Sequence, residues 1–239
     1  MITSETKIVT DKVELAVADG TTMAAYMARP KQAQPHPGLL LFQEAFGVNH
    51  HIRSVSDRFA AEGYVVIAPE LFHRTAPPGF EGSYTDFPAV MPHLQAITLR
   101  TADMDVRSSY EWLRSNAEVK TDEISSVGFC LGGRISFLAN GTLRLRAAAS
   151  FYGGGIAPGL LDLAPKLEAP SLLIWGGLDK HITPEHRKAV TEALSLHHKT
   201  YVNVEFSQAD HGFFCDERTT YEPRSARQAW ALTLEFLRQ

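Results

Sequence analysis

The chain alternates short, almost wholly apolar runs with longer stretches in which apolar residues return every three or four positions. Residues 7–17 and 21–29 read as two strands joined at Asp19-Gly20, a common hairpin pair. Residues 38–43 (GLLLFQ) are nearly all apolar, as in a strand buried on both faces. Further runs at 64–69, 123–129, 146–153, 170–177 and 200–209 complete eight predicted strands. Helical spacing over 49–62 sets Ile52, Val55 and Phe59 on one side and ends at Gly63. A second predicted helix, 96–115, repeats Ala102, Val106, Tyr110 and Leu113; others fit 131–140, 184–198 and 223–237, the last with Ala226, Trp230, Leu234 and Leu237 as its stripe. Strands that alternate with helices predict an α/β fold: an eight-stranded, mostly parallel sheet with helices on both faces and the two leading strands as an antiparallel edge. No repeat or charge block divides the 239 residues, so residues 1–239 are taken as one domain.

Composition narrows the possible roles. Hydrophobic residues at 44% and charged residues at 21% are enough for a large core and exclude intrinsic disorder. Lys plus Arg number 23 against 27 Asp plus Glu, a net charge of −4 with no basic stripe for a phosphate backbone, so no nucleic-acid partner is expected. Residues 1–12 are polar and mixed in charge, without the apolar centre of a signal peptide, and no run approaches the ~18 apolar residues of a membrane span. The expectation is a cytoplasmic protein that does not engage a membrane, as a monomer or small homo-oligomer. Two cysteines, Cys130 and Cys215, make no disulfide framework; in a reducing compartment a thiol is kept as a small buried hydrophobe or for its chemistry.

Open α/β sheets place their sites in the loops beyond the carboxyl ends of the strands. Four such loops matter here: 43–49, 129–133, 176–184 and 209–214. After the fifth strand comes Gly128-Phe129-Cys130-Leu131-Gly132-Gly133, a strand–turn–helix elbow that presents a nucleophile, here a thiol. The glycines relieve crowding at so sharp a turn. The following helix offers its N-terminal partial charge to a thiolate or oxyanion. A thiol of ordinary pKa, about 8.5, needs a base or a charged neighbour to react. Of the ten histidines, His36, His50, His51, His93, His186, His197 and His198 fall in loops or helices remote from the eighth-strand exit, while His73 and His181 stay possible pocket residues. His211 directly follows the eighth strand, where a chain order of nucleophile, acid and histidine places the base. Asp179, one loop earlier, fits as the acceptor that fixes the imidazole tautomer, although an aspartate in such a loop commonly caps a turn. Asp210 is placed on the surface. Backbone N–H groups of Leu131 and Ala45 would hold a developing oxyanion. Glu44, a carboxylate directly after GLLLFQ, requires solvation or a partner.

Together Gln43-Glu44-Ala45-Phe46-Gly47, the Cys130 elbow, Asp179 and His211 resemble the dienelactone hydrolase (carboxymethylenebutenolidase) family, over essentially the whole chain. The resemblance implies an α/β-hydrolase fold, no metal or organic cofactor, and cleavage of a small lactone or carboxylic ester through a Cys130–His211–Asp179 triad and an acyl-enzyme. It also implies that Glu44 holds the resting thiol unreactive and helps generate the thiolate when substrate arrives. Family members of the aromatic-degradation pathways carry, four residues beyond the histidine, an arginine that grips the substrate carboxylate. Here Cys215 stands in its place, so weak selectivity for carboxylate-bearing substrates is expected unless Arg74 or Arg218 supplies the charge. Residues 72–95, with Pro77, Pro78, Pro88 and Pro92, form a long connection of the kind that walls or covers a pocket. Arg74, Phe80, Tyr84, Phe87, Tyr152 and Phe213 are candidate substrate contacts, with packing as the plain alternative. The adjacent pairs His50-His51 and His197-His198 are poorly placed for chelation, and no HExxH, paired CxxC or phosphate loop occurs. An acyltransferase or thioesterase would use the same residues. A non-enzymatic binding protein would need only the fold.

Overall fold

The computed structural model describes residues 7–32 and 34–239; the first six residues of the polar leading segment lie outside the described residues. Its strands are β1 (Ile8–Ala16), β2 (Thr22–Pro30), β3 (His36–Phe42), β4 (Val65–Pro69), β5 (Val119–Phe129), β6 (Ala148–Phe151), β7 (Ser171–Gly176) and β8 (Tyr201–Phe206). They form one sheet in the order β1-β2-β4-β3-β5-β6-β7-β8. Strands β1 and β2 pair antiparallel, as does β2 with β4, while β3 to β8 run parallel. Every residue of β4, β6 and β7 is buried. Successive strand side chains point to opposite faces, so these strands are covered on both.

Five predicted helices form close to their expected bounds: α1 (His50–Ala61), α3 (Leu99–Ser115), α4 (Leu131–Thr142), α5 (Pro184–Leu196) and α6 (Pro223–Leu237). Their starts follow local chemistry. Asn49 caps α1 by accepting from the Ile52 N–H, Thr98 and Thr101 form a reciprocal cap on α3, and Thr183 and Glu222 cap α5 and α6. Helix α6 lays Trp230 on Phe59 of α1, ring centroids 4.5 Å apart, with the Arg58 guanidinium 4.0 Å from the Trp230 ring.

The stretch 72–95, expected as a loop, holds the start of an additional helix, α2 (Phe87–Ala96). Its prolines disguised it: Pro88 sits in the first turn, where a missing N–H costs nothing, and Pro92 removes one interior bond. Only Val90 of this helix is buried, so no apolar stripe marked it. A short 3₁₀ helix, Leu161–Lys166, was likewise unmarked.

Because β3, β5, β6, β7 and β8 are parallel neighbours, their carboxyl ends open on one rim of the sheet. Register sets what meets there. Phe42 is level with Gly128, and Phe129 with Phe151, so Gln43-Glu44-Ala45, Cys130 and Tyr152 leave adjacent strands at one level. A surface cavity of about 430 Å³ lies near Pro30, His36 and Gly63, where β3 and β4 begin, on the opposite rim.

Candidate active site

The elbow is built as tightly as its glycines require. A Cβ on Gly128 would lie 1.9 Å from the Gly132 carbonyl oxygen, and one on Gly132 would lie 2.2 Å from the Phe42 carbonyl oxygen. Only hydrogen lets strand, turn and helix approach so closely. Between them Cys130 takes φ 54° and ψ −112° as the residue capping α4. Such a conformation costs a non-glycine residue of order 1–3 kcal/mol and recurs at functional sites. The cost is supported on two sides: the Cys130 N–H donates to the Phe151 carbonyl (3.0 Å), and the Gly132 N–H donates to the Gln43 carbonyl (2.9 Å). The second bond fastens the loop after β3 to the elbow. Among the described residues, the N–H groups of Leu131 and Ala45 donate to no protein acceptor.

His211 follows β8 and Asp179 follows β7, and they meet across the rim. The Nδ1 of His211 lies 2.7 Å from Oδ2 of Asp179. The other carboxylate oxygen, Oδ1, accepts from the N–H groups of His181 (2.8 Å) and Ile182 (3.1 Å). Turn-capping and imidazole orientation, alternatives in the sequence, are performed by different oxygens of one side chain. Burial opposes the His211 imidazolium, but the Cys130 charge, then hydrogen bonding to Asp179 and Cys130, outweigh it and push His211 up to about 10. Burial raises Asp179, yet His211 and the two backbone donors hold it below the usual carboxylate range. Asp210 is half-buried; its carboxylate accepts the backbone N–H of His211 at 2.6 Å and so supports the loop.

These shifts have a thermodynamic sign. A histidine raised from 6.5 in the unfolded chain to about 10 stabilises the fold fully below pH 6.5, and that contribution is lost as pH rises through 10. Denaturant unfolding at pH 6, 8 and 10 is expected to show the stability difference between wild type and His211→Gln shrinking steadily with pH. A difference that is constant or grows would contradict the His211 environment described here.

Glu44 is fully buried. Its Oε1 accepts from Arg218 Nη1 (3.3 Å) and from the Tyr152 hydroxyl (3.4 Å). Buried carboxylates need such a cation, and the positive charge missing at position 215 reaches the rim from position 218. Gly212 makes room for it, since a Cβ there would fall 2.2 Å from Arg218 Nη1. The guanidinium also lies 5.7 Å from the Phe46 ring and 6.0 Å from the Tyr84 ring. Among the described residues Glu44 makes no hydrogen bond to Cys130.

The remaining predicted contacts divide. Tyr152, fully buried with φ 37°, packs 5.1 Å from His211. The Tyr84 hydroxyl accepts from Asn49 (2.7 Å) and from the Cys215 thiol (3.3 Å), and its ring packs edge-on against Phe46. Phe87 stands on α2, 48% exposed, with its ring 6.3 Å from Phe46; Phe80 packs on Phe72 and His93. Arg74 is held elsewhere: its guanidinium grips buried Asp105 with two bonds (2.8 and 2.7 Å) and Asp19 with a third (2.8 Å). His73 shares Asp105 at 3.2 Å. Phe213 is fully enclosed between Tyr152 and Phe206, so it supports the site from beneath instead of opening onto it. His181 is exposed, its ring 5.4 Å from His211.

His51, set aside in the sequence as remote, is buried beside Glu44 and Cys215. A signal existed. Positions 51, 55 and 59 continue the buried stripe of α1 one turn back from Val55, and a histidine on such a stripe faces inward.

A mostly parallel eight-stranded sheet with a strained nucleophile elbow and an Asp-held histidine on the next rim loops defines an α/β-hydrolase. A model of the dienelactone hydrolase family matches residues 23–239. A Synechocystis protein provisionally named carboxymethylenebutenolidase is 35% identical over 219 residues, spanning 87% of this chain and 88% of its own. A protein of the same provisional name from Escherichia coli K12 is 34% identical over 234 residues, 93% of this chain and 84% of its own. Among solved structures, one described provisionally as a dienelactone hydrolase of Klebsiella pneumoniae superposes with a TM-score of 0.88 at 30% identity, covering 97% of this chain and 99% of that one. The chain belongs to the dienelactone hydrolase family and is a hydrolase of that type. No helix among the described residues is long and apolar enough to cross a membrane.

Proposed function

We propose that this protein hydrolyses a small lactone or carboxylic ester through an acyl-enzyme on Cys130. The observation that carries the reading is the strained Cys130 elbow on the same rim of the sheet as His211, whose imidazole is held 2.7 Å from Asp179. His211 accepts the thiol proton, and Asp179 stabilises the imidazolium. The sulfur attacks the carbonyl carbon, and the electron pair displaced onto oxygen is received by the N–H groups of Leu131 and Ala45. Each such donor typically contributes about 10²–10³ in rate. As the tetrahedral adduct collapses, the C–O bond breaks and His211 returns its proton to the leaving oxygen, which in a lactone stays tethered to the acyl group. Water then attacks the thioester with His211 as base, releasing the carboxylic acid and restoring the thiol. Proton transfer by a positioned histidine supplies roughly 10²–10⁴ more.

In this reading Glu44 governs the charge state around Cys130 from its place against Arg218 and Tyr152. Arg218, held by one 3.3 Å contact to Glu44, is the group on hand for a substrate carboxylate, whereas Arg74 is committed to two aspartates through three shorter bonds. Acid quench of the enzyme during turnover of p-nitrophenyl acetate, followed by peptide mass spectrometry, is expected to find an acetyl group on Cys130. An adduct confined to another residue, or release of p-nitrophenol with none formed under single-turnover conditions, would overturn the mechanism.

A further inference from the structure

Beside the triad, the loop after β3, the first turn of α1 and the segment after β8 bring together three groups that ester hydrolysis leaves partly unused. The Oε2 of Glu44 and the Nε2 of His51 are both buried with no hydrogen-bond partner. Glu44, His51 and Cys215, the last also fully buried, each bring one ligand atom within 4.8 Å of those of the other two. A buried carboxylate oxygen and a buried imidazole nitrogen left without partners are each destabilising, the charged group more so, and both would gain from a ligand.

The histidine is set up in a particular way. Its Nδ1 faces Oδ1 of Asp216 at 3.5 Å. With Nδ1–H toward Asp216, the lone pair of Nε2 points into the group of three. A carboxylate behind a histidine whose other nitrogen is free is the arrangement that orients metal-binding histidines.

We propose that Glu44 Oε2, His51 Nε2 and Cys215 Sγ form a site for a zinc-type divalent ion. A donor set of one sulfur, one nitrogen and one oxygen suits zinc, whereas calcium and magnesium select oxygen alone. Zinc bonds of about 2.0–2.3 Å in tetrahedral geometry put ligand atoms roughly 3.3–3.8 Å apart, so the side chains need to close by about an ångström at their widest. The charges balance once Asp216 is counted: zinc and Arg218, which remains on Oε1 of Glu44, are met by the thiolate, Glu44 and the carboxylate behind His51. The thiol proton passes to solvent as the sulfur–zinc bond forms, and the Cys215–Tyr84 hydrogen bond reverses, the tyrosine hydroxyl now donating to the thiolate. Since Glu44 serves both sites, zinc on its Oε2 neutralises the charge it sets around Cys130 and inhibits hydrolysis; this consequence alone rests on the proposed mechanism.

The test titrates chelator-treated, full-length protein with Co²⁺ and competes it with Zn²⁺. One equivalent of cobalt is expected to produce a thiolate-to-cobalt charge-transfer band that survives in Cys130→Ala, which lacks the other thiol, and disappears in Cys215→Ala. Asp216→Asn, at a 70% exposed side chain that does not endanger the fold, is expected to weaken zinc binding about 10–100-fold. A band that vanishes with Cys130 and persists without Cys215 would overturn the site. So would an Asp216→Asn affinity equal to wild type. Inhibition of ester turnover by zinc in wild type and its absence in Cys215→Ala would support the link to Glu44; zinc bound at Cys215 without inhibition would remove that link and leave the site standing.

Discussion

Replacing Cys130 with alanine is expected to lower turnover of p-nitrophenyl acetate and simple enol-lactones by about 10⁴-fold or more while leaving the fold intact. In the proposed mechanism the size follows from losing the atom that forms the covalent intermediate; what would survive is the oxyanion cradle and His211 acting on water. The fold is spared because alanine carries the same Cβ as cysteine at φ 54°, so the backbone strain is unchanged. A second readout separates this result from a structural accident. The charge of Cys130 is among the influences holding His211 high, so the His211 titration, followed by NMR, is expected to fall in the variant. Retained turnover, or an unmoved His211 titration, would mean that the thiol is not partnered with the imidazole.

Asp179→Asn is expected to cost about 10⁴-fold in kcat with little change in KM. Asparagine keeps an oxygen for the N–H groups of His181 and Ile182, so the turn that begins α5 is preserved. What changes is the other half of the side chain. An amide donor would replace the acceptor 2.7 Å from His211 Nδ1, forcing that nitrogen to accept and the ring proton onto Nε2, the nitrogen that in the proposed mechanism receives the thiol proton. An imidazole in that tautomer cannot take the thiol proton. Circular dichroism and kinetics on one preparation check both halves; a variant of near wild-type kcat would show that Asp179 is only a turn residue.

The parts of this architecture that were legible in the sequence are those with strong local periodicity. GLLLFQ is a buried strand because it has no polar position to expose, and the Cys130 elbow is legible because Gly128 and Gly132 admit no side chain against the neighbouring carbonyls. Helix α2 was hidden by its prolines and by having one buried residue. The position of Arg218 could not be read, because it depends on a seven-residue path from His211 and on the space Gly212 leaves, which no periodicity encodes. His51 was legible in principle from the α1 stripe. Its distance along the chain from the eighth strand is misleading, because the sheet order brings the loop after β3 beside the elbow and thence to the rim where β8 ends. The double duty of Asp179 is a similar case: either task was readable, but their division between two oxygens belongs to three-dimensional geometry alone.

The fastening of the elbow to the loop after β3, Gly132 N–H to the Gln43 carbonyl, runs entirely through main-chain atoms. Side chains at Ala45, Phe46 and Leu131 can therefore be exchanged without undoing it, provided that the glycines stay. If the proposed mechanism holds, the geometry of the elbow is in this way insulated from the side chains that would choose its substrate, so acceptance and chemistry could be altered separately.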